Sequence, residues 1–216
     1  VKKIIFWFFS IIFTSFLIAL NNDKPNFKNL NFRFIGPDGN RAIAISGVSS
    51  DHNTYYVGAA SGGLFKTTNK GISWEPIFDD QDVSSVSAIA VSQENPNIVW
   101  AGTGETFLIR PAHAIGDGIY KSEDGGNTWK NMGLQKTARI AKIVIHPKND
   151  KIVYVAALGH TFGPQEDRGI YKTTNGGKTW KKILFIDQNT GGIDIALDRK
   201  NPNFLIASMW EIYINT

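Results

Sequence analysis

The stretch Gly118-Ile-Tyr-Lys-Ser-Glu-Asp-Gly-Gly-Asn-Thr-Trp129 decides the fold of this chain. Its first residues are typical of a β-strand, and the Asp and Gly residues that follow predict a tight reversal. The same pattern recurs without gaps at residues 63–74 and 169–180. The tryptophans that end the three copies lie 55 and 51 residues apart, which indicates a structural repeat of about fifty residues.

A second series of segments keeps step with the first, at residues 93–102, 147–156 and 199–207. Each of these segments joins two runs rich in β-branched or aromatic residues. Every unit therefore contains four short strands, which predicts an all-β fold, a β-propeller of four-stranded antiparallel blades. The blades are predicted at residues 32–78, 84–132 and 138–184, with a partial blade at 190–216.

The chemistry of the repeated segment explains its turn. The side chain of Asp124 can accept hydrogen bonds from backbone N–H groups just ahead of it, and Gly126 supplies the positive φ of a tight reversal. Hydroxyl side chains such as Ser122 can tie the two sides of the turn together. The ring of Trp129 is predicted to lie at the seam with the next sheet.

These segments resemble the Asp-box, or bacterial neuraminidase, repeat with the pattern Ser/Thr-x-Asp-x-Gly-x-Thr-Trp. The second copy matches throughout, while the other copies carry Asn for Asp and the first has Ser73 for Thr. The resemblance covers about residues 32–210 and is greatest to exported bacterial proteins with sortilin/VPS10-like propellers, which are often labelled glycosyl hydrolases. The predicted structural Asp-box residues are Thr67, Asn69, Gly71, Trp74, Ser122, Asp124, Gly126, Trp129, Thr173, Asn175, Gly177 and Trp180.

The first twenty residues form a separate segment. Two lysines precede seventeen uncharged residues, which predicts a signal peptide or a membrane anchor at 1–20, a linker at 21–31 and an exported protein. The net charge of the 216-residue chain is +4, with no cysteine, so disulfides and Cys-ligated metals are excluded. Without a Lys/Arg run we expect no nucleic-acid partner.

The number of blades predicts either a longer protein or self-association. A propeller closes a ring of typically four to eight blades, and the resemblance implies up to ten. About three and a half blades would leave two apolar blade faces uncovered. The sequence therefore favours a fragment of a larger propeller, and self-association if the chain is complete.

Candidate binding residues lie in the uneven connections between strands two and three, and between successive blades. One carboxylate per Asp-box is too few for calcium, and we expect no metal or cofactor. A carboxylate pair could serve glycoside hydrolysis, and Glu105 and Asp117 are the candidate catalytic pair. Alternatively, these connections simply carry solvated charges. The candidate ligand-binding residues are Asp79, Asp80, Arg110, His113, His160, Glu166 and Arg168.

The predicted function is recognition of a peptide, a protein or an extracellular glycan through these long loops. The alternative is an Asp-box glycosyl hydrolase with catalytic carboxylates partly in further blades. The resemblance implies that sialidases of this fold use an arginine triad with a Tyr nucleophile, which residues 32–35 match only faintly. Related xyloglucanases need facing aspartates from two propellers. An assembly-factor role, known for other Asp-box propellers, has no specific motif here.

Overall fold

The computed structural model describes residues 36–37, 41–106 and 114–212 of the protein. The predicted signal peptide or anchor and the linker lie outside the described residues. Among the described residues, no helix is long and apolar enough to cross a membrane. The described helical structure is one 3-10 turn at Gln135–Thr137.

Four antiparallel sheets follow one another along the described chain, each with its strands in sequence order. The first sheet contains β1 (Ala42–Val48), β2 (Asp51–Ala59), β3 (Leu64–Thr67) and β4 (Glu75–Pro76). The second contains β5 (Val86–Val91), β6 (Val99–Thr103), β7 (Ile119–Ser122) and β8 (Lys130–Asn131). The third contains β9 (Ile140–His146), β10 (Asn149–Ala157), β11 (Gly169–Thr173) and β12 (Lys181–Leu184), and the fourth contains β13 (Thr190–Leu197) and β14 (Leu205–Glu211). The predicted all-β fold with four-stranded antiparallel sheets is confirmed.

The first strands of successive sheets lie side by side, since β1 contacts β5, β5 contacts β9 and β9 contacts β13. Small residues on the second strands permit this approach. A Cβ atom on Gly58 would lie 2.3 Å from the Val86 carbonyl oxygen, and one on Gly102 would lie 2.4 Å from Cγ2 of Ile140. The first strands of the second and third sheets, β5 and β9, can therefore pack closely against the second strand of the sheet before them.

Antiparallel pairing gives the sheets two distinct ends. At one end, here called the loop face, the first strands begin and the β2–β3, β6–β7 and β10–β11 connections emerge. At the opposite end, the Asp-box face, lie the turns between strands three and four. Apolar cores fill the seams, with Phe78 and Tyr120 between the first two sheets and Trp100 and Ile140 between the next two.

Large apolar side chains are exposed on the first and fourth of the described sheets. Ile45 in β1 is 72% exposed; Phe204, directly before β14, and Ile206, within it, are 56% and 59% exposed. A run of four apolar residues, 183–186, is also exposed at the end of the third sheet. These surfaces are much larger apolar patches than an isolated exposed side chain.

Candidate functional site

The Asp-box turns are closed by their own side chains. Asp124 Oδ1 accepts hydrogen bonds from the Ser122 hydroxyl at 2.8 Å and the Thr128 N–H at 2.9 Å, while Oδ2 accepts from the Thr128 hydroxyl at 2.7 Å. These bonds, with those from Thr128 first, lower the pKa of Asp124 to about 2. Asn175 makes the equivalent bonds in the third sheet, so a charge at this position is not needed to form the turn.

The Asp-box tryptophans join each sheet to the one before it. Trp129 Nε1 donates to the Ile77 carbonyl at 2.7 Å, and Trp180 Nε1 donates to the Met132 carbonyl at 2.8 Å. The Trp129 ring also makes an edge contact with Phe78, with centroids 5.3 Å apart. The prediction that the tryptophan lies at the seam with the next sheet was wrong. The Trp129 and Trp180 rings instead contact Phe78 and Trp100, on the side of the preceding sheet.

Two buried arginines anchor the connections on the loop face. Arg168 is 0% exposed and donates to the carbonyls of Leu158 and His160, both at 2.8 Å. Arg139 is 2% exposed and donates to the carbonyls of Glu105 at 3.0 Å and Gly159 at 3.2 Å. Each guanidinium thus holds loop backbone in place, which leaves little of the Arg168 side chain open to a ligand.

Burial and neighbouring charges both shift the pKa values of the two buried arginines. Burial lowers the pKa of the Arg139 guanidinium; the carboxylate of Glu105 opposes this effect and the charge of Arg168 adds to it. Burial likewise lowers the pKa of Arg168, and Asp187 opposes it. Burying the positive charges of Arg139 and Arg168 costs solvation free energy. Hydrogen bonds from their guanidinium groups to loop carbonyls offset part of that cost.

Both candidate catalytic carboxylates already have partners. Glu105 is 5% exposed and forms an ion pair with Arg41, which lies directly before β1. Asp117 accepts a 2.6 Å hydrogen bond from the Tyr120 hydroxyl, and its backbone N–H donates to Thr103 Oγ1 at 2.9 Å. Neither carboxylate is an open group, so the pair is better suited to shaping the β6–β7 connection than to contacting a ligand directly.

The other predicted binding residues are distributed along the same face. Asp79 and Asp80 are exposed in the link between β4 and β5, and His160 and Glu166 are exposed in the β10–β11 connection. Arg110 and His113 lie outside the described residues. The structure thus brings the described candidates to one end of the sheets.

Sequence reasoning missed Arg41 and Arg139. Both residues directly precede the first strand of a sheet, and their carbonyls accept equivalent bonds from Ala60 and Leu158, at 2.9 Å in each case. Aligning the sequences Arg-Ala-Ile-Ala from 41 and Arg-Ile-Ala-Lys from 139 would have revealed the shared position.

Two apolar side chains stand out on the anchored loops. Phe162 in the β10–β11 connection is 53% exposed, and Ile115 in the β6–β7 connection is 59% exposed. Phe162 lies only six residues before the buried Arg168, whose guanidinium also reaches the Gly163 carbonyl at 3.4 Å. The Phe162 ring is therefore exposed on a loop whose backbone is hydrogen-bonded to the buried Arg168.

Within the described part of the chain, no group of three or more His, Cys, Asp or Glu side chains is arranged to hold a metal ion. The polar chemistry of the loop face consists of guanidinium groups, carboxylates and backbone amides. These groups can orient a polar ligand through hydrogen bonds.

The fold and the Asp-box turns together define an Asp-box β-propeller segment. In agreement, residues 117–215 match the Sortilin-Vps10 family model, described as sortilin, neurotensin receptor 3. The chain is also 26% identical over 153 residues to a probable oligoxyloglucan-reducing end-specific xyloglucanase of Neosartorya fischeri, a match that covers 68% of this chain and 16% of that protein. The predicted resemblance, a β-propeller with glycosyl hydrolase relatives, is thereby confirmed.

Solved structures support the same fold. The GH74 enzyme of Niastella koreensis superimposes with a TM-score of 0.63 at 20% identity, covering 79% of this chain and 26% of that enzyme. An ancestral GH74 enzyme gives a TM-score of 0.61 at 25% identity, covering 80% of this chain and 22% of that enzyme. The chain thus spans about a sixth of the curated relative and about a quarter of these structures.

Proposed function

We propose that this chain is a segment of an extracellular propeller that binds an extended ligand, a glycan or a peptide, on its loop face. The observation that carries the proposal is the β10–β11 connection. Buried Arg168 fixes its backbone through two 2.8 Å hydrogen bonds, while His160 and Phe162 remain exposed on it. Long loops on a rigid scaffold are where proteins concentrate binding residues.

Anchoring matters because ordering a loop costs free energy when a ligand binds. A loop that is already held loses less conformational entropy on binding. The exposed ring of Phe162 offers an apolar surface for the C–H face of a sugar or for an apolar peptide side chain. Neighbouring polar groups, including His160 and Glu166, can then orient the ligand.

A glycan is the ligand class that the sequence relatives favour. Those relatives, at 25% and 26% identity, are a GH74 enzyme and a probable xyloglucanase. Export would place the segment where extracellular polysaccharides occur, and residues 4–20 support export because they are uncharged and follow two lysines.

Hydrolysis of a glycan is the second candidate function, and the same two relatives favour it. Binding without hydrolysis is the better-supported function for the described residues, because Glu105 and Asp117 are both engaged by protein side chains. If Glu105 and Asp117 act in hydrolysis, release of reducing ends from xyloglucan should fall at least a hundredfold in Glu105→Gln and Asp117→Asn.

The binding proposal is tested by titrating the protein with xyloglucan oligosaccharides, cello-oligosaccharides and a random peptide pool by calorimetry. Phe162→Ala should weaken binding about tenfold, as expected from the loss of one buried aromatic contact. Phe204→Ala is the matched control, since Phe204 is similarly exposed, at 56%, but lies near the opposite end of the sheets. Equal affinity of both variants and the unaltered protein for every ligand would exclude this loop as the binding site.

A further inference from the structure

A basic groove lies on the Asp-box face, at the opposite end of the sheets from the loop face, at the seam between the second and third sheets. Its volume is about 700 Å³. Lysines supply four of its lining residues, and Trp129 and Met132 supply apolar surface. The charged residues that line this groove are Lys121, Lys130, Lys151, Lys178 and Glu123.

The groove carries four lysines against one glutamate, a net charge of +3. Lys121 is held in place by a 2.5 Å ion pair with Glu123 and lies 5.7 Å from the centroid of the Trp100 ring. The other three lysines are exposed. Their charges are not neutralised by the single acid of the groove, which Lys121 already engages.

The preceding seam provides an internal comparison. Within their own sheets, Gly125 N–H donates to the Asn97 carbonyl at 2.9 Å and Gly176 N–H donates to the Lys151 carbonyl at the same distance, so Asn97 and Lys151 occupy equivalent positions. Strand pairing likewise makes Glu75 the equivalent of Lys130. At the first seam the charged residues in the equivalent positions are Lys66, Glu75, Glu123 and Asp124, a net charge of −2.

This difference in charge is not required by the fold. Asn175 occupies the position of Asp124 and forms the same turn with bonds of 2.8 to 3.0 Å. Lys151 and Lys178 stand where the first seam has the neutral residues Asn97 and Asn127. Five positions of the groove are therefore more positive than their equivalents at the first seam, including Thr174 in place of Glu123, and one, Glu123 in place of Thr68, is more negative.

We propose that this groove binds a linear anionic polysaccharide. Three exposed ammonium groups attract carboxylate or sulfate groups spaced along such a chain. Trp129 lines the groove and can supply apolar surface for the C–H face of a sugar, while its indole N–H is bonded to the Ile77 carbonyl at 2.7 Å. The groove lies at the opposite end of the sheets from Phe162, and the proposal does not depend on the proposed function of the loop face.

The test is electrophoresis of the full chain through gels that contain polygalacturonate, with neutral xyloglucan and an oligothymidylate as comparison probes. The triple variant Lys130→Gln, Lys151→Gln and Lys178→Gln removes the exposed charges of the groove. The control triple variant Lys70→Gln, Lys148→Gln and Lys200→Gln removes the same charge from exposed lysines elsewhere. Circular dichroism confirms that each variant retains its fold.

We expect polygalacturonate to retard the unaltered protein at about 50 mM NaCl and to lose this effect at about 300 mM, because salt screens exposed charges. The groove variant should bind at least tenfold more weakly, and the control variant should change less than twofold. Equal weakening of both variants, or no retardation of the unaltered protein, would overturn the proposal. Tighter binding of the oligothymidylate would also overturn it, by assigning the groove to nucleic acid. Phe162→Ala should leave polygalacturonate binding unchanged.

Discussion

The indole N–H of Trp129 donates to the carbonyl oxygen of Ile77 across the seam between two sheets, over 2.7 Å. Trp180 and Met132 repeat this relationship at the next seam. The Asp-box therefore has a second role besides forming a turn, because its last residue hydrogen-bonds to the preceding sheet.

Loss of the indole hydrogen bond, with an aromatic ring kept in place, should destabilise the protein. Trp180→Phe keeps an aromatic ring near Trp100 but loses the 2.8 Å bond to Met132, so we expect the free energy of unfolding to fall by about 1–2 kcal/mol. Urea unfolding followed by circular dichroism measures this change. Trp210→Phe, at a site that is 44% exposed, should change stability by less than about 0.5 kcal/mol. Equal effects would argue against a specific role for the indole bond.

A glycine of the third Asp-box should tolerate no side chain. A Cβ atom on Gly177 would lie 2.5 Å from the Trp100 ring, and its φ is 90°. Gly163 has a similar φ of 77° but nothing within 4 Å of that position. We expect Gly163→Ala to cost about 1–2 kcal/mol from backbone strain alone, and Gly177→Ala to cost a further 1–3 kcal/mol, roughly, from overpacking. Thermal or urea unfolding of the two variants measures the free energy lost to backbone strain alone and to strain with overpacking.

Asp124 should give the protein a distinct acid sensitivity. Its folded pKa is about 2, below the ordinary value of 3.8, because Thr128 and Ser122 donate hydrogen bonds to the carboxylate. A depressed folded pKa contributes stability above the unfolded pKa, and that contribution is lost as pH falls from about 4 through 2. Asp124→Asn should therefore unfold with a weaker pH dependence in this interval, by analogy with Asn175. Urea midpoints at pH 7, 4 and 2.5 provide the measurement, and parallel pH profiles would contradict the expectation.

Loss of Arg168 should release the β10–β11 connection. Arg168→Gln removes donors to the carbonyls of Leu158 and His160, so the loop around Phe162 should open more often. We expect chymotrypsin to cleave after Phe162 roughly tenfold faster than in the unaltered protein. Arg199→Gln, an exposed site, is the control. Unchanged cleavage in Arg168→Gln would show that the loop is held by other contacts.

The repeat predicted most of the fold because its turn chemistry is local. Ser122, Asp124 and Thr128 lie within seven positions of one another, and their side chains and backbone bond directly to one another. The positions of the strands were predictable from the alternation of apolar and polar residues on either side of such turns. The direction in which Trp129 reaches was not predictable in this way, since its partner Ile77 lies 52 residues earlier in the chain.

The loop face was predicted less well, for a related physical reason. An isolated arginine beside a loop is most often solvated, so Arg168 was predicted as a ligand contact and Arg139 was not singled out. Arg139 is buried because the carbonyls of Glu105 and Gly159, 34 and 20 residues away, converge on it. Convergence of this kind depends on how neighbouring sheets meet, which no single segment encodes.

The direction of the tryptophan bonds has a consequence for synthesis on the ribosome. The acceptors Ile77 and Met132 precede their donors by 52 and 48 residues, so a newly made sheet must wait for the next Asp-box to emerge before its outer edge is secured. At the usual pace of translation, of the order of 5–20 residues per second, this interval lasts several seconds. During that time the outer edge of each nascent sheet has its acceptor carbonyl bonded only to water and its apolar side chains accessible to the chaperones of the cell.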